Sequence, residues 1–449
     1  MTPSSFLKTV LLVTICAGLR QACLPAWCQA DTTATSDVET DTGDGGQLLI
    51  PPPVSNQNYP TEFAGDADQN YLRIGFLLSS GYSSNVSSTS NPVADVSYSF
   101  WPTIAVNRAI SQLRLAASYS PGFTIYQKTS SYNQANQNVT LNLQGLLSPR
   151  LSISVHQVFQ QTSSIFNQPT PLAVVPVSGS PPLTGLGIIP PIADQIFNTT
   201  SAQLAYQLNE VSIIGVTGTF EDLQYLASQQ SSGLYNLRSG SGTAFYSRRL
   251  GEKYYIGGSY QYLTTRSYQT GSPTIPAQIQ SVLAFFSIFF RPNLSLSVSG
   301  GPQHLGTQPP FQPTSSWTPL LTISGAWQGH RTTLAASYSR VVNGSGGLSG
   351  IFHSTAVSAS ADWRVSRNWV TGVRASYANN TPLLVANGAE RTILGTVLGQ
   401  RYLGERTDLQ FGYSWVDQNY MQIAPSASIP NINRIFFSVN YQFTRPLQN

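Results

Sequence analysis

The stretch Leu294-Ser295-Leu296-Ser297-Val298-Ser299 alternates apolar and polar side chains without a break. Successive side chains of a β-strand point to opposite faces, so this stretch predicts a strand with one apolar and one hydrophilic face. Its polar side chains are small and uncharged, which suits contact with water better than a packed core. The same alternation returns in residues 113–119, 138–147 and 408–415. The repetition predicts an all-β protein.

The spacing of these segments predicts a barrel. Alternating runs of roughly ten residues, each long enough for one tilted membrane span, give about eighteen strands between residues 70 and 443. Short turns alternate with long loops rich in Ser, Asn, Gly and Pro. We therefore expect a transmembrane antiparallel β-barrel of about 18 strands (16 to 18), with short periplasmic turns and long extracellular loops. The short turns are expected at Asn107-Arg108, Ser148-Pro149-Arg150, Asn209-Glu210, Leu250-Gly251-Glu252, Arg291-Pro292-Asn293, Gln328-Gly329-His330, Val365-Ser366 and Leu403-Gly404-Glu405.

The ends of the chain are expected to lie outside the barrel. Residues 1–30 have a lysine, an apolar run and a small-residue cleavage pattern ending at Ala30, which predicts a secretory signal peptide. Residues 31–69 form an acidic, proline-containing leader that we expect to be disordered in the periplasm. Residues 444–449 are expected to form a periplasmic C-terminal tail.

Cysteine usage and charge exclude several classes of protein. All three cysteines fall within residues 1–30, which excludes a disulfide scaffold and thiolate catalysis in the mature chain. Only 9% of residues are charged, and no stretch after residue 30 is apolar enough for a transmembrane helix. A membrane barrel or a secreted all-β adhesin remains. Beyond residue 68 the chain has 21 cations and 11 acids, a net charge of +10.

Many of these cations flank the short turns, and aromatic residues lie near the strand ends. A cationic rim can anchor a barrel to anionic lipid headgroups, although turns also collect charges simply because they are solvated. Aromatic girdles are expected at both interfaces of a membrane barrel. The tryptophans beside short turns are Trp327, Trp363 and Trp369, and the other candidate girdle residues are Trp101, Trp317, Tyr377 and Trp415.

Two parts of the sequence carry a resemblance to known proteins. In the last strand, Phe437, Val439, Tyr441 and Phe443 alternate on one face, and this resembles the terminal strand that the outer-membrane assembly machinery recognises. Residues 70–443 resemble porin-like barrels, some associated with exopolysaccharide operons, and the sugar and alginate channels; the run Asn70-Tyr71-Leu72-Arg73-Ile74-Gly75 carries part of that likeness. The resemblance implies an outer-membrane channel.

Charged residues on the predicted polar faces are candidates for lining the pore. A cationic strip there would favour anions or bind sugar hydroxyls, although arginines in a lumen also form purely structural ladders with acids. Strand parity selects Arg73, Arg114, Arg374, Arg434, Asp95 and Asp408.

The long loop 161–199 is a candidate gate. It is largely apolar, its single charge is Asp194, and it occupies the ordinal place of the loop that narrows general porins. A proline-stiffened plug in the lumen and a loop lying over the outer rim are both open interpretations. Its seven prolines are Pro169, Pro171, Pro176, Pro181, Pro182, Pro190 and Pro191.

No motif points to catalysis, a cofactor or a metal, because the four histidines are scattered and no metalloprotease or serine-hydrolase signature occurs. Nucleic-acid binding is not expected either. The sequence predicts passive diffusion of small polar or anionic solutes across the outer membrane. The alternatives are exopolysaccharide export and a structural or adhesive barrel. Expected partners are outer-membrane lipids and lipopolysaccharide, the assembly machinery, and the solutes or polysaccharide, while a homo-oligomer stays open.

Overall fold

The structure is a computed structural model that describes residues 70–87, 90–110, 112–162, 194–226, 234–291, 293–307, 315–344, 350–383, 390–404, 406–419 and 431–447. Within these ranges the chain forms eighteen β-strands and a single 3-10 turn at Ser130–Tyr132. No helix in the described part of the chain is long and apolar enough to cross a bilayer. The predicted signal peptide and acidic leader lie outside the described residues.

The strands are 12 to 17 residues long. They are β1 Tyr71–Ser83, β2 Asp95–Ile110, β3 Leu113–Tyr126, β4 Gln134–Ser148, β5 Leu151–Thr162, β6 Gln195–Asn209, β7 Ser212–Tyr225, β8 Asn236–Arg249, β9 Tyr254–Tyr268, β10 Ile275–Arg291, β11 Leu294–Thr307, β12 Ser315–Gln328, β13 Thr332–Gly344, β14 Ile351–Ser366, β15 Trp369–Pro382, β16 Glu390–Tyr402, β17 Thr407–Asn419 and β18 Ile432–Pro446.

Each strand pairs antiparallel with its neighbours in sequence, and β1 pairs with β18, which closes the sheet into a barrel. The closing register runs from Tyr71 opposite Pro446 to Ser83 opposite Arg434. Closure pairs the backbone groups that an open sheet would leave at its edges, which lipid cannot satisfy. The predicted 18-stranded antiparallel barrel is confirmed.

One face of the sheet exposes large apolar side chains. Ile104, Phe286 and Ile435, for example, are 50%, 40% and 60% exposed. In water so much exposed apolar surface would cause aggregation, whereas against lipid it is the expected outer face of a membrane barrel. Trp317, Trp327, Trp363, Trp369 and Tyr377 are exposed among these side chains, and the strand register puts all of them on the outer face.

The inner face is lined by small hydroxyl side chains that bond to each other across strands. Thr103 Oγ1 lies 2.8 Å from Ser120 Oγ, and Ser287 Oγ lies 2.7 Å from Ser297 Oγ. Further pairs are Ser99 with Thr124, Ser118 with Thr140, Ser337 with Ser358, and Thr396 with Ser414. Such cross-strand pairs stabilise the sheet and make the wall hydrophilic without adding fixed charge themselves.

Four sequence-based expectations are wrong in detail. The turn expected at Val365-Ser366 lies at residues 367–368 instead, because β14 continues to Ser366 and β15 begins at Trp369. The first turn is not Asn107-Arg108, because β2 continues to Ile110, whose side chain extends the apolar outer face. The C-terminal tail does not begin at residue 444, because β18 continues to Pro446 by pairing with the start of β1. Trp101 is not a girdle residue: it is 1% exposed and belongs to the inner face.

Trp101 is buried because it covers a glycine on the neighbouring strand. An ideal Cβ built on Gly122 would lie 2.5 Å from the Trp101 indole ring. Phe245 covers Gly215 and Phe285 covers Gly257 in the same way. A large ring packed over a glycine fills the space that the missing side chain leaves, and it helps to fix the strand register.

We predict that Gly122→Ala lowers the free energy of unfolding in lipid vesicles by about 1–3 kcal/mol, because the new methyl group overpacks the Trp101 ring. Denaturant titration of the refolded barrel would measure it. Gly218→Ala is the matched control, since a Cβ at Gly218 meets nothing within 4 Å. Equal effects of the two substitutions would contradict the packing argument.

Candidate functional site: a hairpin folded into the lumen

The long-loop end of the β13–β14 hairpin separates from its neighbour β12. Pairing between β12 and β13 stops at Leu321 opposite Arg340. Pairing between β13 and β14 continues to Gly344 opposite Ile351. Residues 341–344 of β13 and 351–354 of β14, which we call the inner hairpin, therefore form a two-stranded extension that β12 does not hold in the wall.

The inner hairpin packs against the inner face of strands several places away in the barrel. Val342 and Ile351, 2% and 1% exposed, form one apolar cluster with Ala277, Ile279 and Leu305 of β10 and β11. Because the alternation of β10 and β11 points these three side chains away from the lipid face, the hairpin lies inside the lumen. Burying this apolar surface stabilises the inward position by roughly 25 cal/mol for each Å² removed from water.

A polar contact and a close backbone approach fix the same position. The side-chain amide of Gln303 on β11 donates to the Val342 carbonyl at 3.2 Å and accepts from the Val342 N–H at 2.9 Å. An ideal Cβ on Gly344 would lie 2.5 Å from Thr265 Oγ1 and 2.9 Å from Leu237 Cδ1. The missing side chain at Gly344 lets the hairpin approach the Thr265 and Leu237 side chains of β9 and β8 this closely.

The inner hairpin narrows the lumen at its long-loop end from the side of β8–β11. Sequence alternation missed this element, because β13 and β14 alternate like every other strand. Two local signals mark it in retrospect: the Val341-Val342 pair interrupts the alternation, and glycines are frequent in Gly344–Gly350. Neither signal by itself indicates the inward direction.

Two of the four arginines predicted to line the pore, Arg73 and Arg434, lie across the barrel from the strands that the inner hairpin covers. Arg73 and Arg114 are near the short-turn ends of β1 and β3, and Arg374 and Arg434 are on β15 and β18. All four point inward by register. In an 18-strand ring, β1 is diametrically opposite β10. Arg434 stacks on Phe436, its guanidinium carbon 5.6 Å from the ring centroid.

The two acids predicted to line the pore are engaged within the wall. Asp95 accepts hydrogen bonds from the backbone N–H groups of Val96, Lys128 and Thr129 and from the Thr129 hydroxyl, so its carboxylate holds the β3–β4 loop. Asp408 is 8% exposed and accepts from the amides of Gln400 at 3.0 Å and Asn440 at 2.9 Å. Both carboxylates are already hydrogen-bonded by the chain.

Sequence reasoning missed three further inward acids. Glu221, Asp362 and Glu390 occupy inner-face positions opposite Ser239, Gly372 and Asn380. Strand parity alone could have placed all three on the inner face. They place three further carboxyl groups on the inner face.

The structure describes the residues of the proposed assembly signal but not the prolines of the proposed gate. The seven prolines of the loop 161–199 lie outside the described residues, so its inward or outward position stays a prediction, and Asp194 precedes β6. Phe437, Val439, Tyr441 and Phe443 lie on the outer face of β18, where Tyr441 stacks on Phe76 with ring centroids 5.5 Å apart. Their role in assembly stays a prediction.

The histidines are dispersed in the structure as well. His156 hydrogen-bonds with Asn142 inside the lumen, and His353 accepts from Arg340 Nε at 2.8 Å. Across the described ranges, no three His, Cys, Asp or Glu side chains gather in a way that could hold a metal ion.

We predict that shortening the inner hairpin raises single-channel conductance, because it removes the segment that narrows the lumen. Replacing residues 341–354 with Asn-Gly joins the register partners Arg340 and Thr355 by a two-residue turn. Replacing residues 268–274 with Asn-Gly in the β9–β10 loop is the control, since Gly271 there has open space around it. A higher conductance in the control variant, with no increase in the hairpin variant, would contradict the assignment of the inner hairpin to the lumen.

Likeness to known proteins is found among solved structures. No protein-family model matches the chain, and no curated protein matches it. Among solved structures it is similar to OccAB4 of Acinetobacter baumannii, with 9% identity, coverage of 84% of this chain and 99% of that one, and a TM-score of 0.42. Pseudomonas aeruginosa OpdO is 8% identical, with coverage of 84% of this chain and 98% of that one and a TM-score of 0.43. The FrpB iron transporter of Neisseria meningitidis is 8% identical, with coverage of 84% of this chain and 81% of that one and a TM-score of 0.41. Its own closed wall, apolar exterior and polar interior make the chain a transmembrane β-barrel.

Proposed function

We propose that this chain is a passive outer-membrane channel for small polar or anionic solutes. The observation that carries the proposal is the inner wall, which hydroxyl and amide side chains line on most strands. A barrel of 16–18 strands is wide enough for an aqueous lumen. A wall of satisfied hydroxyl pairs binds solutes weakly, and weak binding allows a solute to enter and to leave.

The inner hairpin supports a restricted channel rather than a wide pore. It covers the apolar inner face of β10, so solutes pass between it and the strands that bear Arg374 and Arg434. Arg374, Thr396, Ser414 and Arg434 occupy one continuous row of cross-strand partners. Two guanidinium groups on a hydroxyl row would favour anions and the oxygens of sugars or carboxylates. The five inward acids keep the preference weak.

Orientation and assembly complete the proposal. The long loops face the cell exterior and the short turns face the periplasm, as in other outer-membrane barrels. We propose that the outer face of β18, with Phe437, Val439, Tyr441 and Phe443, is read by the assembly machinery. Export of a polysaccharide would need a dense row of cations or aromatics along the lumen, and the inner-face chemistry described above favours small solutes instead.

We predict ohmic single-channel conductance in planar bilayers, with a weak anion preference. The double variant Arg374→Gln/Arg434→Gln should shift the reversal potential in a salt gradient toward cations, because it removes two inward positive charges and leaves the acids. Arg391→Gln is the control, since its guanidinium lies on the outer face, 3.1 Å from Asp417.

A protein that inserts as a folded barrel and conducts nothing would contradict the channel proposal. A reversal potential that the arginine pair does not move would contradict the assigned selectivity while leaving the channel intact.

A further inference from the structure

The outer face of β6–β9 carries a row of polar side chains close to the long loops. Asn198, Asp222, Arg238 and Arg266 are successive cross-strand partners on four adjacent strands. On β5, Gln157 bonds with Asn198 and Thr200 and extends the polar surface. At the same ends of β1–β3 the outer face is apolar, with Tyr82, Tyr98 and Ile125 each at least 45% exposed. The polar row therefore belongs to one side of the barrel.

The charges in this row are unbalanced. Arg238 and Arg266 face each other directly across β8 and β9, and like charges directly opposite each other destabilise a sheet. Asp222 Oδ2 lies 3.2 Å from Arg238 Nη2 and neutralises one guanidinium. Arg266 is exposed, with no hydrogen bond or ion pair inside the described part of the chain. We call Asp222, Arg238 and Arg266 the arginine strip. Its net charge is +1, so one more negative charge would balance it.

A shallow depression lies beside the strip on the membrane side. Three outer-face positions there are small, since Ala202, Gly218 and Gly242 are successive partners, and the exposed Phe220 lies between them and the strip, opposite Gly240. A Cβ on Gly218 or Gly242 would meet nothing within 4 Å. The wall is therefore recessed at Gly218 and Gly242, between the exposed side chains of Phe220 and Val216 on β7.

We propose that the arginine strip binds a phosphate group of a phosphorylated glycolipid in the outer leaflet, with an acyl chain lying in the glycine depression. Guanidinium groups bind phosphate through paired N–H donors, and a phosphate placed between Arg238 and Arg266 removes their repulsion. The height of the strip suits a headgroup, because Arg238 and Arg266 each lie two residues from the long-loop end of their strand. This proposal rests on the outer-membrane orientation given above.

The test is titration of the refolded mature chain, in zwitterionic detergent micelles, with diphosphoryl lipid A. Native mass spectrometry counts the bound lipid. The double variant Arg238→Gln/Arg266→Gln should lose affinity by about tenfold or more. Arg391→Gln is the matched control, because Arg391 is also on the outer face, also pairs with an aspartate, and has the same 51% exposed side chain as Arg238. It should retain the affinity of the unsubstituted chain.

Several outcomes would overturn the proposal. One is binding of lipid A by the double variant as tight as by the unsubstituted chain, and another is equally tight binding of lipid A from which both phosphates have been removed. A third is binding of inorganic phosphate alone as tight as that of lipid A. The last is self-association of the barrel that the double variant abolishes, which would assign the strip to a second copy. The double variant should conduct like the unsubstituted chain, since both arginines lie outside the lumen. The lipid-binding proposal and the channel proposal can therefore be refuted independently.

Discussion

Pairing of every strand's backbone within the sheet is the constraint on which the rest of this structure depends. Lipid offers no hydrogen-bond partner, so a strand that crosses a membrane must bond on both sides to other strands. Here the constraint is met by β1 and β18, which pair along the whole length of β1. Once the ring is closed, alternation along each strand divides the side chains into a lipid face and a lumen face. The apolar exterior and the hydroxyl-lined interior both follow from this closure.

The inner hairpin shows how a closed ring can carry an exception. Near the long loops, beyond the hydrocarbon region, backbone groups are no longer forced to pair within the wall, so β13 can leave β12 there. The lost pairing is replaced by the two bonds from Gln303 and by the apolar cluster around Ile279 and Leu305. A second layer inside the barrel thereby restricts the lumen without opening an edge to lipid. The same strands serve as wall at one end and as constriction at the other.

Alternation predicted the strand number, the order of short and long connections, and the inward side of Arg73, Arg374 and Asp408, because each depends on the sequence next to it in the chain. Strand ends were less accurate, since Ile110 and Pro446 continue pairing that local polarity does not reveal. The inner hairpin could not be predicted, because its position depends on contacts between β13 and strands two to five places away in the ring. Trp101 was misplaced for the same reason: its burial depends on a glycine in the next strand.

The most direct test of this account is whether the inner hairpin lies against β9 inside the lumen. A Cβ on Gly344 would lie 3.4 Å from the Cβ of Thr265, close to the separation of about 3.5–4.5 Å found in disulfides. The sequence has no cysteine after residue 28, so in a protein produced from residue 31 onward Gly344→Cys with Thr265→Cys should form a disulfide on mild oxidation. Gly344→Cys with Gly240→Cys, on the outer face, should not. Efficient bonding of the first pair, detected by mass and gel mobility, is the predicted result. A folded barrel in which the first pair stays reduced would contradict the account.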